Sequence, residues 1–195
     1  MTFIVEGVVL AGGKGSRLQQ NKLLLLYKNQ PIITHTVSNM LEFCEKVTIV
    51  TGFYEVDYTQ HINSKKSVSI IHNEDHLDGM FTSVLKGVKE IENDCFIIPG
   101  DYPLVKASTY QLLLNSDGVV RVPTYKGIKG HPIFMQKTVI DQLKKEPVDS
   151  NLKAFRNKYL VSYIEVDDEG ILQDIDTIND YQQLIAYERT DAVED

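Results

Sequence analysis

The run Val8-Val9-Leu10-Ala11-Gly12-Gly13-Lys14-Gly15-Ser16-Arg17, with Lys22 five residues further on, carries an apolar strand straight into a glycine-rich loop studded with cations. This is the makeup of a polyphosphate pocket. Glycines let the backbone approach phosphate oxygens and offer N–H groups to them. Arg17 and Lys22 add the positive charge that backbone dipoles lack. Two familiar phosphate loops do not fit. A P-loop places Ser or Thr directly after its Gly-Lys so that the hydroxyl reaches magnesium, whereas Gly13-Lys14 is followed by Gly15. A dinucleotide fingerprint needs a third glycine and an acid at the end of the second strand. Counted from Gly13, that pattern ends in Leu18, and the second strand expected over 47–50 runs into Thr51-Gly52.

Acidic residues at two other places have the chemistry to complete such a pocket. Asp101 follows the wholly apolar Cys95-Phe96-Ile97-Ile98 and its Pro99-Gly100 stop, and Asp174-Ile175-Asp176-Thr177 precedes the last expected helix. Carboxylates from distant parts of the chain, meeting beside a phosphate pocket, suit magnesium, which takes few protein oxygens and leaves room for phosphate. Each has a plainer reading too: a turn residue for Asp101, a helix N-cap for Asp176 or Thr177. The loop holding Lys126, Lys129 and His131 suits an anionic acceptor, or is a solvated hairpin tip. His72 and His76 flank Asn73-Glu74-Asp75. Zinc-binding helices place Glu directly after the first His, where this chain has Asn73, so zinc is disfavoured.

The elements that must position these residues alternate between strand and helix. Strands are expected over 4–10, 47–50, 68–71 and 95–98. A helix opened by Pro31 carries Ile33, Val37, Met40, Leu41 and Cys44 on one face. A weaker helix is expected over 55–62, and a clear one over 79–91 with Phe81, Val84, Leu85, Val88 and Ile91 on one stripe. Such alternation implies a parallel sheet covered by helices, with ligands bound beyond the carboxyl ends of the strands. Strands over 118–122 and 133–135 follow, joined by a loop from Tyr125 to Pro132. Helices are expected over 138–145, 150–156 and 177–187, with a strand over 159–166. Leu23 to Leu26 reads as core.

Length and composition bound the rest. A chain of 195 residues fits one domain, 1–195, with a full core. A net charge of −7, from 20 Lys and Arg against 27 Asp and Glu, argues against a nucleic-acid polymer but not against one nucleotide in a basic cleft. No apolar run approaches a membrane span and the N-terminus has no basic leader, so neither membrane nor export is expected. Cys44 and Cys95 read as small buried hydrophobes of a reducing, cytoplasmic compartment.

Taken together, Leu10-Ala11-Gly12-Gly13-x-x-Ser16-Arg17 with Lys22-Leu23-Leu24, Val50-Thr51-Gly52, Asn73 with Gly79-Met80 and Ser83, Gly100-Asp101-x-Pro103, Lys129-Gly130-His131-Pro132 and Asp174-Ile175-Asp176-Thr177 resemble the nucleotidyltransferases that act on the molybdenum cofactor. The resemblance implies a Rossmann-like three-layer α/β fold, mostly parallel, with helices on both faces. It implies transfer of a nucleoside monophosphate from an NTP with Mg2+. Leu10 to Gly13, Ser16, Arg17 and Lys22 would hold the triphosphate, Thr51, Asn73, Gly79 and Ser83 would line the nucleotide side, and Arg17, Lys22 and Asp101 would be catalytic. Asp101 with Asp176 or Asp174 would bind metal, and Lys129 and His131 the acceptor, expected to be molybdopterin, with transient handover to a molybdoenzyme. Gly12-Gly13 is more typical of the guanylyl branch and Gly79-Met80-x-x-Ser83 of the cytidylyl branch, so CTP is the expected donor and GTP its alternative. Other readings are a sugar-1-phosphate or phosphocholine nucleotidyltransferase, or a non-catalytic nucleotide-binding module.

Overall fold

The computed structural model describes residues 4–15 and 20–191. Its first strand, β1 (Val5–Ala11), is buried along its whole length. Val5, Val9 and Ala11 enter one apolar cluster, Val8 and Leu10 another. A strand apolar on both sides of its pleat belongs inside a sheet covered on both faces. The chain continues through β2 (Leu26–Tyr27), β3 (Gln30–Pro31), α1 (Ile32–Leu41), β4 (Lys46–Thr51), β5 (Ser67–His72), α2 (Met80–Lys89), β6 (Asp94–Pro99) and α3 (Ala107–Asn115). Then come β7 (Val120–Tyr125), β8 (Ile128–Lys129), β9 (Ile133–Met135), α4 (Lys137–Leu143), α5 (Leu152–Arg156), β10 (Val161–Glu165) and α6 (Ile178–Asp191).

The main sheet runs β10-β7-β9-β6-β1-β4-β5, with β8 beside β7, while β2 and β3 form a separate hairpin. β9 is antiparallel to both neighbours, whereas β6, β1, β4 and β5 are parallel. Helices α1 and α3 cover one face; α2, α4 and α5 cover the other. This is the mostly parallel, three-layer α/β architecture expected from the alternation of elements. From β1 the chain passes through α1 to β4; from the adjacent β6 it passes through α3 to β7, in the opposite direction along the sheet. Neighbouring strands whose connections diverge leave a crevice at their carboxyl ends. Gly100 N donates to Leu10 O at 2.9 Å, so the loops after β1 and β6 start side by side at that crevice. Among the described residues no helix is long and apolar enough to cross a membrane.

Several expectations need correction. The helix expected over 55–62 is a single 3-10 turn, Tyr58–His61, started by the Asp57 carboxylate accepting from Thr59 N. Of Leu23 to Leu26 only Leu23 is buried; Leu24 and Leu26 are exposed, because the run splits into a 3-10 turn and the edge of the small hairpin. Cys44 lies past the end of α1, though buried as expected. The loop expected from Tyr125 to Pro132 is largely a hairpin: β8 pairs with the end of β7, turning through Lys126 and Gly127. Helix α3 was not foreseen. Its start is capped from a distance, with Asp168 accepting from Lys106 N and Thr109 Oγ1, and Arg121 donates to Leu113 O and Leu114 O at its end.

Contact between α2 and β1 is closest at Gly87, where an added Cβ would lie 2.6 Å from Val8 Cγ1 and 2.9 Å from Val50 Cγ2. Gly87→Ala gains about 1 kcal/mol of helix propensity, but the branched, fully buried valines cannot yield, and overpacking costs about 1–3 kcal/mol. Urea denaturation is expected to show a net loss of about 1–2 kcal/mol; a stabilised variant would contradict this packing.

Candidate active site

The crevice at the β1–β6 boundary is a cleft of about 660 Å³. One wall is the loop after β1, Gly12 to Gly15. The opposite side brings Asp101, Tyr102, His131 and Leu152, with Asp174 and Asp176 at the rim, and Lys22 enters from the 3-10 turn that follows the loop. The wall can pack closely only because of its glycines. An added Cβ on Gly52 would lie 2.8 Å from Gly12 Cα, and one on Gly12 would lie 2.9 Å from Ser83 Oγ. Phe53, His76, Leu77 and Met80 complete an apolar lip on this side, and Lys14 Nζ sits 5.2 Å over the Phe53 ring.

Lys22 is the electrostatic centre. Its Nζ donates to Asp101 Oδ2 at 2.5 Å and to Asp176 Oδ1 at 2.6 Å. Backbone geometry makes the meeting possible: Ile175 N donates to Asp101 O at 3.1 Å, fastening the 174–176 segment to the loop after β6. The cap reading falls to Thr177 alone. Thr177 N and Oγ1 donate to Asp180 Oδ2, and Asp180 N donates back to Thr177 Oγ1, a reciprocal capping box for α6. Asp176 is thereby left to Lys22 and the cleft. Burial works to lower the Lys22 pKa, but Asp101 and Asp176 together outweigh it and hold the ammonium charged. Burial also pushes the Asp101 carboxyl up, against the pull of Lys22.

One ligand oxygen each from Asp101, Asp174 and Asp176 lies within 4.8 Å of the others. Three carboxylates facing one ammonium leave a local charge of −2, and Asp101 Oδ1 is buried with no hydrogen-bond partner. An unpaired buried carboxylate oxygen in a group two positive charges short is what a hard divalent cation satisfies. The residues present therefore fit Mg2+.

The remaining expected residues divide as follows. Leu10, Ala11, Gly12, Gly13, Lys22, Ser83, Asp101, His131, Asp174 and Asp176 line the cleft. Asn73 stands one layer back: 1% exposed, its Nδ2 donates to Thr82 Oγ1 and Ser83 Oγ, which sets the Ser83 hydroxyl. Thr51 also lies behind, with Oγ1 donating to Ile71 O. Gly79, at φ 111°, turns the chain into α2. Lys129 is not among the lining residues; its Nζ donates to Tyr163 Oη and rests 4.1 Å over that ring. Ser16 and Arg17 lie outside the described residues. Sequence reasoning missed Phe53 and Leu152. Phe53 had a signal, since it comes two residues after a strand end at the ligand face.

His131 packs against Tyr102 with ring centroids 5.0 Å apart. Burial first, and the Arg156 charge second, hold its pKa down at about 4, so the ring is neutral at pH 7.

Comparison with known proteins bears on this geometry. The sequence pattern of the MobA-like NTP transferase domain matches residues 7–162. The chain is 29% identical over 183 residues to the molybdenum cofactor cytidylyltransferase of Escherichia coli K12, covering 91% of this chain and 93% of the relative. It is 28% identical over 107 residues to a probable molybdenum cofactor guanylyltransferase of Flavobacterium johnsoniae, covering 55% and 53%. A nucleotidyl transferase from Methanothermobacter thermautotroptrophicus superposes with a TM-score of 0.80 at 20% identity, over 96% of this chain and 98% of that one.

Two outcomes follow from the electrostatics. Because its carboxyl titrates above the ordinary value, ionised Asp101 costs stability at neutral pH. Asp101→Asn is expected to leave stability in metal-free buffer unchanged or raised, and to abolish the rise in Tm expected of the wild type in millimolar Mg2+. A large loss of stability in metal-free buffer, or an intact Mg2+ response, would contradict it. For His131 the folded pKa of about 4 lies below the ordinary 6.5. Its contribution is thus present above pH 6.5 and is lost as pH falls through about 4. His131→Gln should flatten the stability–pH curve in that window, measured by urea denaturation; an unchanged slope would show that the ring is accessible to protons.

Proposed function

The chain belongs to the MobA-like NTP transferase family, and from that premise we propose that it transfers CMP from CTP to the phosphate of molybdopterin or the molybdenum cofactor, releasing pyrophosphate. Nucleotidyl transfer follows from the family. The acceptor and the base are the further step. The observation that carries the transfer chemistry is the convergence of Lys22, Asp101, Asp174 and Asp176 on the cleft at the strand ends, while the acceptor is taken from the named relatives. CTP is favoured over GTP because the resemblance to the cytidylyltransferase spans nearly the full chain and that to the guanylyltransferase about half. Gly79-Met80-x-x-Ser83 adds to it, with Ser83 held at the cleft by Asn73.

An oxygen of the acceptor phosphate forms the new bond to the α-phosphorus, the α–β bridging bond breaks, and pyrophosphate leaves with the electron pair. A phosphate monoester is already a nucleophile, so no side chain need be one. The barrier is then one of position and charge. The N–H groups of the Gly12–Gly15 loop and the ammonium of Lys22, which line the cleft, would receive the phosphates, and Arg17, two residues further along the sequence, would supply a second cation. Asp101 with Asp174 and Asp176 would hold magnesium, which supplies neutralisation of charge on the transferring and leaving phosphates. Lys22 is already bonded to two of these carboxylates, so it fixes them before substrate arrives and needs little reorganisation to meet the leaving group.

Pyrophosphate release from CTP with a molybdopterin acceptor and Mg2+ tests the proposal. Lys22→Ala and Arg17→Ala should each lower kcat/KM about 10²–10³-fold, equivalent to about 2.7–4 kcal/mol. Release with GTP but not CTP would reassign the base. No release with either nucleotide would overturn the proposed reaction.

A further inference from the structure

Beyond the acidic cluster, two buried polar atoms on the His131 side of the molecule are unexplained. His131 Nδ1 and Arg156 Nε are both buried and both without a hydrogen-bond partner. Arg156 makes no ion pair among the described residues, although this chain carries more acids than bases. An arginine buried at Nε with no carboxylate to meet it is a desolvated donor waiting for an acceptor, and leaving such a group unsatisfied is costly. The two atoms belong to one neighbourhood, since the Arg156 charge acts on the His131 ring. Of the two, only His131 lines the cleft. Leu152 and His131 line it, and Arg156 lies four residues after Leu152 on α5, one turn along the same side of the helix. His131 is set by Tyr102, the residue after Asp101.

We infer that Arg156 and His131 form a second anion subsite, separate from the Gly12–Gly15 loop, that takes the phosphate monoester of the acceptor. The inference deepens the proposed function and rests on it for the identity of the acceptor, but the anion subsite itself is open to test without turnover. Before a divalent cation occupies the acidic cluster, a cation in this subsite offsets repulsion of the incoming phosphate. A phosphate dianion brought beside Asp101, Asp174 and Asp176 meets a group that is already negative, and Lys22 is engaged by two of its members. Arg156 adds a fixed charge on the acceptor side, in the planar geometry that matches phosphate oxygens. His131, uncharged, adds a donor through Nδ1–H without repelling the guanidinium. Lys129, two residues before His131, is spent on Tyr163.

The test is binding of inorganic phosphate to the full chain, followed by NMR with the nucleotide loop filled by CTP in metal-free buffer. The His131 ring signals are assigned by their loss in His131→Gln. Phosphate is expected to shift them saturably. Arg156→Gln is expected to weaken that binding at least tenfold while leaving the CTP-induced rise in Tm unchanged, and Arg156→Lys should recover part of it. Indifference of the His131 ring to phosphate, or equal phosphate affinity in wild type and Arg156→Gln, would overturn the inference. If Arg156→Gln fails to fold, the wild-type His131 response and the Arg156→Lys affinity decide it. Absence of a CTP response together with a phosphate shift at His131 would count against the proposed reaction and leave the anion subsite standing.

Discussion

One ammonium between two carboxylates ties this molecule together at its working end. Lys22 meets Asp101, 79 positions later, and Asp176, 154 positions later. Three remote segments are thus pinned to one point by a charged side chain that is largely buried. Lys22 and Asp101 are largely shielded from water, so their pairing is stronger than it would be at the surface and also more costly to leave incomplete. The completion is only partial: Asp101 keeps a buried oxygen unpaired and its carboxyl titrates high because burial outweighs the help from Lys22. That incompleteness is a functional signature, since a site optimised for the stability of the empty protein would not retain it.

Everything else in the fold serves to bring these groups to the carboxyl ends of the central strands. β1 and β6 lie side by side with connections that diverge, so their carboxyl ends open a crevice. Gly12 and Gly52 let two strand-end loops approach to a distance that any side chain would prevent. Asn73 lies behind the wall and holds Ser83 in place, so the polar groups at the cleft rest on buried hydrogen bonds and not on mobile loop conformation. The capping box of Thr177 and Asp180 does the same for the tail segment by fixing where α6 begins.

Much of this was legible in the chain, for physical reasons. The strands of the sheet centre are continuous apolar runs, and the helices α1 and α2 present unbroken stripes. Chemistry placed directly after such strands, as with Asp101, has only one place to be. What was hidden is whatever depends on distant partners. α3 begins without a cap of its own because Asp168, 62 residues past Lys106, provides it. Lys129 and His131 are neighbours in sequence, yet the β7–β8 hairpin sends one to Tyr163 and the other into the cleft. Arg156 gave no sign at all, because its meaning lies in having no partner where it is buried.

The central claim, that Lys22 and three aspartates gather one divalent cation and one nucleotide, is tested most directly by a crystal structure with Mn2+ and a non-hydrolysable CTP analogue. A single anomalous peak at about 2.1 Å from Asp101 Oδ1, shared with Asp174 or Asp176 and with the nucleotide phosphates lying over Gly12–Gly15, is the predicted result. Manganese bound elsewhere, with Asp101 still paired only to Lys22 and the nucleotide outside the cleft, would contradict it.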